Sequence, residues 1–204
     1  MKTEYSIVGS GPVGRTLAGL FARAGIDVHI ANSRGPQSIA TIAMELGRHV
    51  APVTLEQALD ADVIFLAVGF MQVPSVAVKR LDWTGKIVVD MTNALQPAGQ
   101  RETELRGLLS SEINAKFVAG AKLVKAFNHL PVQKLGMNPH VEGQRQVVFV
   151  SSNDADASAT ISALAEQLGF APVELGWLDE GGVALHAVGG KPGGLLFQNL
   201  VKLG

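Results

Sequence analysis

The sequence feature that most constrains the fold is a glycine-rich turn near the N-terminus. It follows a short apolar segment, Tyr5 to Val8, and fits the pattern G-x-G-x-x-G with Gly9, Ser10, Gly11, Pro12, Val13 and Gly14. In such a turn the first glycine permits a tight bend, the second lets the backbone approach a pyrophosphate, and the third allows close helix–strand packing. Proline suits the first turn of the following helix, whose free amides and positive dipole end favour a phosphate. The turn therefore predicts a dinucleotide-binding fold.

Apolar segments and helical spacings alternate along the rest of the chain. Helices are predicted over residues 12–24, 36–46, 55–60, about 100–118, and from a cap at Asp154 through Leu168, with Gly25 ending the first helix and Thr54 capping the third. Further strands are predicted over residues 26–31, 48–52, 63–68, 85–90, 123–127, 147–150 and 170–175. This alternation predicts an α/β fold with a doubly wound, mostly parallel sheet of the Rossmann type.

The predicted Rossmann-type domain covers residues 1–175, and residues 176–204 form a small C-terminal helical appendage packed on it. Within the appendage, the glycine-rich segment 189–194 is either a turn or a basic loop that closes over a second, negatively charged cofactor. A terminal helix over residues 195–203 carries an apolar stripe that could bury against a second subunit. A homodimer is therefore expected, since dimers are the commonest oligomers.

Composition narrows the possible partners. The net charge of −1 gives no electrostatic case for binding nucleic acid or an anionic membrane surface. The chain has no cysteine, which excludes disulfides, thiolate metal sites and cysteine nucleophiles, and its histidines lack metal-ligand spacing. The longest apolar stretch, residues 63–70, is too short to span a bilayer, and the N-terminus has no signal-peptide pattern. We therefore expect a cytoplasmic protein without metal.

The end of the second predicted strand favours NADP(H) over NAD(H). NAD-specific sites usually place an acid there to bind the ribose 2′-hydroxyl. This sequence instead has Asn32, Ser33 and Arg34, which can donate hydrogen bonds to a 2′-phosphate and offer it a charged planar fork. The absence of an acid also removes a repulsion.

Ligands of open α/β sheets lie beyond the carboxyl ends of the strands, so three later strand ends are candidates for the nicotinamide side of the site. They carry the residues Val68, Gly69 and Phe70, then Asn93, then Asn128, His129 and Leu130. Hydride transfer between two heterocycles needs little from side chains beyond alignment. With a quinone or another carbonyl as acceptor, His129 is the best candidate for a proton donor, although a structural role for it is equally open.

These motifs, continued by the segment from Lys125 to Pro131, resemble the coenzyme F420-dependent NADP oxidoreductases over most of residues 4–175. That family also includes the reductase domains of mammalian six-transmembrane metalloreductases. The resemblance implies hydride transfer between NADP(H) and a flavin-like or deazaflavin ring stacked on the nicotinamide. It also implies that the turn after residue 66 and the segment from Asn128 line the nicotinamide pocket, with the family's histidine falling at Asn128.

The sequence thus favours an NADP(H)-dependent oxidoreductase whose second substrate is F420, a flavin or a quinone. A small imine or carbonyl dehydrogenase is the alternative within enzymes, but it would normally need a larger helical domain after residue 175. A non-catalytic NADP(H) sensor is the alternative outside enzymes, and the weak catalytic signature supports it.

Overall fold

The computed structural model describes residues 2–94, 105, 108–141 and 143–185. Eight strands form one sheet, and two short strands form a separate hairpin. The strands are β1 Tyr5–Val8, β2 Val28–Ala31, β3 Val50–Pro52, β4 Val63–Leu66, β5 Ile87–Asp90, β6 Lys122–Ala126, β7 His140–Val141, β8 Gln144–Arg145, β9 Val147–Ser152 and β10 Ala171–Glu174.

In the part of the chain that the structure describes, seven α-helices connect the strands. They are α1 Pro12–Ala24, α2 Ala40–Leu46, α3 Leu55–Asp60, α4 Val73–Ala77, α5 Ser110–Phe117, α6 Val132–Leu135 and α7 Ala155–Gln167. Short 3-10 turns precede α2 and α4, at Pro36–Ile39 and Phe70–Gln72, and a third covers Gly181–Leu185. Within the described residues, no helix is both long enough and apolar enough to cross a lipid bilayer.

The sheet confirms the predicted doubly wound, mostly parallel α/β architecture. Its strand order is β10-β9-β6-β5-β4-β1-β2-β3, so the direction of winding reverses between β1 and β4. All pairs are parallel except β6 with β9, where Val124 faces Ser152 in an antiparallel register. In sheets of this kind the ligand crevice lies at the reversal point, outside the carboxyl ends of the strands.

Both faces of the sheet are buried, as parallel sheets require. Successive residues of one strand point to opposite faces, so Ile7 packs in one apolar cluster with α1 and α7, and Val8 packs in the other with α3 and α4. A row of aromatic rings crosses the first cluster, with neighbouring centroids 5.5–6.2 Å apart, through Tyr5, Phe21, Phe65, Phe127 and Phe170.

The predicted helix ends are confirmed where a specific side chain or glycine forms them. Gly25 ends α1 in a left-handed conformation with φ 69°. Thr54 and Gln57 form a reciprocal capping box at α3, and the Asp154 carboxylate accepts from the amide of Ala157 at 2.8 Å. These contacts are local in sequence, which explains why the pattern predicts them.

Several elements differ from the prediction. The helix predicted over residues 36–46 begins as a 3-10 turn, and β4 ends at Leu66 instead of residue 68. The short helices α4 and α6 and the β7–β8 hairpin were not predicted. The predicted helix over about 100–118 begins at Ser110 in the described part, since residues 95–104, 106 and 107 lie outside it. The predicted segment 189–194 and helix 195–203 also lie outside the described residues.

Candidate functional site

A cleft of about 830 Å³ opens at the reversal point of the sheet. The loops that follow β1, β2, β4 and β5 line it, together with the start of α3 and one side of α4. Ten of the residues predicted to bind a cofactor line this cleft: Gly9, Ser10, Gly11, Pro12, Val13, Asn32, Ser33, Arg34, Val68 and Gly69. Gly14, also predicted, belongs to the same turn but not to the lining.

The three glycines of the turn have three different steric environments. Gly9 has φ 118°, and a Cβ there would lie 2.3 Å from the carbonyl oxygen of Ala67. A Cβ on Gly14 would lie 1.9 Å from the carbonyl oxygen of Gly9, so α1 packs directly against the turn. A Cβ on Gly11 would meet no atom within 4 Å, although Gly11 lines the cleft. The second glycine therefore leaves open space where a phosphate would approach the backbone.

Asn32 organises the loop after β2. Its amide nitrogen donates to the hydroxyl of Ser10 at 2.9 Å and to that of Ser38 at 3.0 Å. Its carbonyl oxygen accepts from the backbone amide of Arg34 at 2.9 Å. The loop is thus tied to the glycine turn, and the exposed side chains of Ser33 and Arg34 line the cleft. Within the described residues, the Arg34 guanidinium has no hydrogen bond or ion pair.

The cleft carries an excess of positive charge. Its lining contains three cations, Arg15, Arg34 and Lys79, and among the described lining residues none is aspartate or glutamate. Arg15 is held beside the glycine turn because its Nε donates to the carbonyl oxygen of Ser10 at 2.8 Å. Guanidinium and ammonium groups in a cleft without acids favour a ligand with several negative charges.

The structure joins two predicted strand ends by a reciprocal amide pair. The Asn93 side-chain amide donates to the backbone carbonyl oxygen of Asn128 at 2.9 Å, and the Asn128 side-chain amide donates to Oδ1 of Asn93 at 2.9 Å. Asn128 also donates to the carbonyl oxygen of Leu185 at 2.6 Å. Neither asparagine belongs to the cleft lining, whereas Met91, two residues before Asn93, does.

The residue directly before Asn128 has a strained backbone conformation. Phe127 has φ 63°, in the left-handed region that non-glycine residues rarely adopt, and its ring is buried between Phe65 and Phe170. This packing stabilises a conformation that turns the chain sharply before Asn128. Phe70 and Leu130, also predicted at the site, are both buried and lie outside the cleft lining.

The structure does not bring His129 to the cleft. Its side chain is 5% exposed, and its ring lies 5.0 Å from the ring of Phe149. Burial lowers the pKa of His129 to about 4, while a hydrogen bond with the backbone of Val147 acts in the opposite direction. The imidazole is therefore neutral at pH 7, and this placement favours the structural role over the predicted proton-donor role.

Sequence reasoning missed several lining residues, which are Arg15, Leu55, Gln72, Ser75, Lys79 and Met91. A basic residue directly after G-x-G-x-x-G was an available signal for Arg15. Gln72 precedes α4, Ser75 lies within it and Lys79 follows it, and a helix of only five residues is too short to be recognised from periodicity. Their contribution to the cleft could therefore be recognised only from the fold.

Comparisons with known proteins point to an NADP-dependent oxidoreductase. Residues 4–94 match the family model described as NADP oxidoreductase, coenzyme F420-dependent. A hypothetical protein from Sinorhizobium meliloti has a similar structure, with 40% identity, a TM-score of 0.93, and 98% of this chain and 97% of that chain covered. A protein from Arthrobacter sp. FB24, provisionally designated an F420-dependent NADP-reductase, has 27% identity, a TM-score of 0.73, and 90% of both chains covered.

The chain is also similar to metalloreductase STEAP3 from Rattus norvegicus. The two are 32% identical over 181 residues, which make up 86% of this chain and 34% of that protein. The chain thus spans about a third of the length of the curated relatives it matches.

Proposed function

We propose that this chain transfers a hydride between NADP(H) and a deazaflavin, flavin-like or quinone acceptor, as expected from the match of residues 4–94 to the family of NADP oxidoreductases described as coenzyme F420-dependent. The observation that carries the proposal is the cleft at the sheet reversal point, with its glycine turn, three cations and no described acid. Such a lining suits a dinucleotide that bears both a pyrophosphate and a 2′-phosphate.

The fold suggests how the cofactor lies in the cleft. The pyrophosphate would sit against Gly11 at the N-terminus of α1, and the adenosine 2′-phosphate beside Ser33 and Arg34 after β2. The nicotinamide would then extend to the opposite side of β1, over the ends of β4 and β5. Val68 and Gly69 would line its ribose there, and Met91 would lie beside the ring.

The proposed reaction requires alignment more than side-chain chemistry. Bound in this cleft, NADPH would supply the hydride and its two electrons to the oxidised acceptor, and solvent would supply the proton that completes the reduction. No described lining residue is an aspartate, glutamate, histidine or tyrosine. Transfer between two stacked heterocycles is compatible with this lining, because the cofactors carry the chemistry. We assign no proton transfer to the buried, neutral His129.

The described lining favours a dehydrogenase that acts on a small imine or carbonyl less, because it offers no histidine, tyrosine or carboxylic acid as a proton donor and its lysine, Lys79, is exposed. Reduction of such a substrate needs a positioned proton donor in the transition state. It is compatible, however, with a sensor that binds NADP(H) without turning it over. Turnover therefore has to decide between an oxidoreductase and a sensor.

The test is oxidation of NADPH, followed by its near-ultraviolet absorbance, with F420, FMN, FAD, quinones, ferric chelates and a small cyclic imine. Ferric chelates are included because the STEAP relatives are named metalloreductases. We expect turnover with a deazaflavin, flavin or quinone, and much slower turnover with NADH as donor. Tight NADPH binding without turnover on any acceptor would identify a sensor, and turnover with the imine alone would favour the dehydrogenase.

A further inference from the structure

A buried ion pair lies at the carboxyl ends of β5 and β6, outside the cleft lining. Asp90 is the last residue of β5 and faces Lys125 in the parallel register of the two strands. The Lys125 Nζ lies 3.0 Å from Oδ2 of Asp90, and the side chains are 1% and 0% exposed. Lysine and aspartate are almost never fully buried unless they are paired, so the pair requires an explanation.

The contacts of the pair converge on Thr92. The Asp90 carboxylate accepts from the backbone amide of Thr92 at 2.8 Å, and the Lys125 ammonium donates to its carbonyl oxygen. Asn114 of α5 donates to the Thr92 hydroxyl at 3.1 Å and to Asp90 Oδ2 at 3.0 Å. The amide, carbonyl and hydroxyl of one residue are thus all fixed from β5, β6 and α5.

The neighbours of Thr92 connect this network to the cleft. Met91 lines the cleft where the nicotinamide would lie, and Asn93 forms the reciprocal amide pair with Asn128. A rotation of the Thr92 backbone would move both residues. Lys125 also lies two residues before the strained Phe127, so the network fixes both strand ends at this side of the site.

Stability alone is a weak explanation for such a pair. Removing two charges from water costs free energy that their attraction often fails to recover, and apolar replacements of similar volume are commonly neutral or stabilising. A geometric function explains why the charges are there. We propose that Lys125 is a positioning residue: with Asp90, it fixes Thr92 and so holds Met91 at the nicotinamide end of the cleft, with Asn93 paired to Asn128 behind it. This inference rests on the proposed function, because it needs the nicotinamide to occupy that end.

The test distinguishes an effect on binding of the nicotinamide half of the cofactor from an effect on the stability of the fold. Lys125→Met and the double variant Asp90→Asn/Lys125→Met are compared with Ser152→Ala, a matched control. Ser152 is buried, and its hydroxyl donates to the β6 backbone at Leu123 and accepts from the amide of Asp154, with no hydrogen bond to Thr92 among the described residues. Calorimetry measures the affinity of each protein for NADPH and for 2′,5′-ADP, which lacks the nicotinamide, and thermal unfolding measures the Tm.

We expect Lys125→Met to lower the Tm, because it leaves the Asp90 carboxylate buried without its cation, and the double variant to recover part of that loss. Both should keep wild-type affinity for 2′,5′-ADP. Their affinity for NADPH should fall about two- to tenfold, the equivalent of one lost hydrogen bond. The hydride-transfer rate should fall by roughly 10- to 100-fold through misalignment. Ser152→Ala should lower the Tm without changing the ratio of the two affinities.

Unchanged NADPH affinity and hydride-transfer rate in both Lys125 variants would overturn the positioning role, as would equal losses for both ligands. If wild type binds NADPH no more tightly than 2′,5′-ADP, the nicotinamide is not held in the cleft, and the proposed function fails instead. Should the Lys125 variants not fold, Asn114→Ala removes two contacts of the network without leaving a charge unpaired. It should then lower NADPH affinity but not 2′,5′-ADP affinity, and the opposite pattern would refute the inference.

Discussion

Gly11→Ala and Gly14→Ala change two glycines of the same turn, but the first should affect cofactor binding and the second should affect stability. Gly11 has φ −73° and ψ −174°, which alanine adopts without strain, and its Cβ would meet no protein atom within 4 Å. Gly14 is buried, and its Cβ would lie 1.9 Å from the Gly9 carbonyl oxygen. Gly11→Ala should therefore impair cofactor binding in a stable protein, whereas Gly14→Ala should impair folding.

The structure gives approximate sizes for both effects. Alanine at the N-cap costs less than about 1 kcal/mol relative to glycine. The Gly11 methyl would obstruct a pyrophosphate and remove charge-assisted hydrogen bonds worth about 1.5–3 kcal/mol, which corresponds to a roughly 10- to 100-fold weaker affinity. For Gly14→Ala, overpacking against backbone costs about 1–3 kcal/mol, partly offset by up to about 1 kcal/mol of helix propensity. A net loss of about 2 kcal/mol would lower the Tm by roughly 4–8 °C.

The assay is calorimetric titration with NADPH, together with thermal unfolding of each variant without ligand. The expected result is a Tm close to wild type with weak NADPH binding for Gly11→Ala, and a lowered Tm for Gly14→Ala. Wild-type NADPH affinity in the Gly11 variant would refute the placement of the pyrophosphate at this turn. A wild-type Tm in the Gly14 variant would refute the close contact between α1 and the turn.

Three other perturbations test separate parts of the site. Arg34→Ala should weaken the binding of NADPH by roughly 10-fold or more and that of NADH much less, because a charge-assisted hydrogen bond is lost only with the 2′-phosphate. Equal losses of affinity in titrations with the two cofactors would contradict the assignment of Arg34 to the 2′-phosphate. Lys79→Met should weaken the binding of NADPH only about two- to fivefold, because Lys79 is exposed, and this loss of affinity should shrink at high salt. A loss that does not depend on salt would indicate a packing effect. His129 has a pKa lowered from 6.5 to about 4 in the folded protein, so between these pH values the unfolded chain binds more protons than the folded one. The free energy of unfolding should therefore fall as the pH drops through this window, by up to about 1.4 kcal/mol per pH unit. In pH-dependent thermal unfolding His129→Gln should show a shallower fall, and an unchanged slope would exclude His129 as its source.

The phosphate-binding half of the candidate site could be predicted from sequence because its determinants are local. The turn from Gly9 to Gly14 lies directly between β1 and α1, and Asn32 to Arg34 directly follow β2. Each motif needs only the order of the elements and the rule that ligands bind beyond the carboxyl ends of parallel strands. The cleft brings these two motifs together.

The other half depends on contacts between distant residues. Nothing in the sequence near Asn93 predicts its amide pair with Asn128, 35 positions away. The burial of His129 against Phe149 likewise follows from the antiparallel pairing of β6 with β9, whereas alternating elements predict parallel strands. Lys79 reaches the cleft just after α4, a helix of five residues that is too short to be recognised from sequence periodicity. These features require the three-dimensional arrangement of the sheet.

We infer that the glycine turn and the loop after β2 together select NADP(H) over NAD(H). Calorimetric titration of the wild-type protein with NADPH and with NADH, in the same buffer at the same ionic strength, measures this selection. The cationic cleft, with Arg34 where an NAD site carries an acid, predicts at least about tenfold tighter binding of NADPH, the equivalent of roughly 1.4 kcal/mol. Equal affinities, or tighter binding of NADH, would contradict the account.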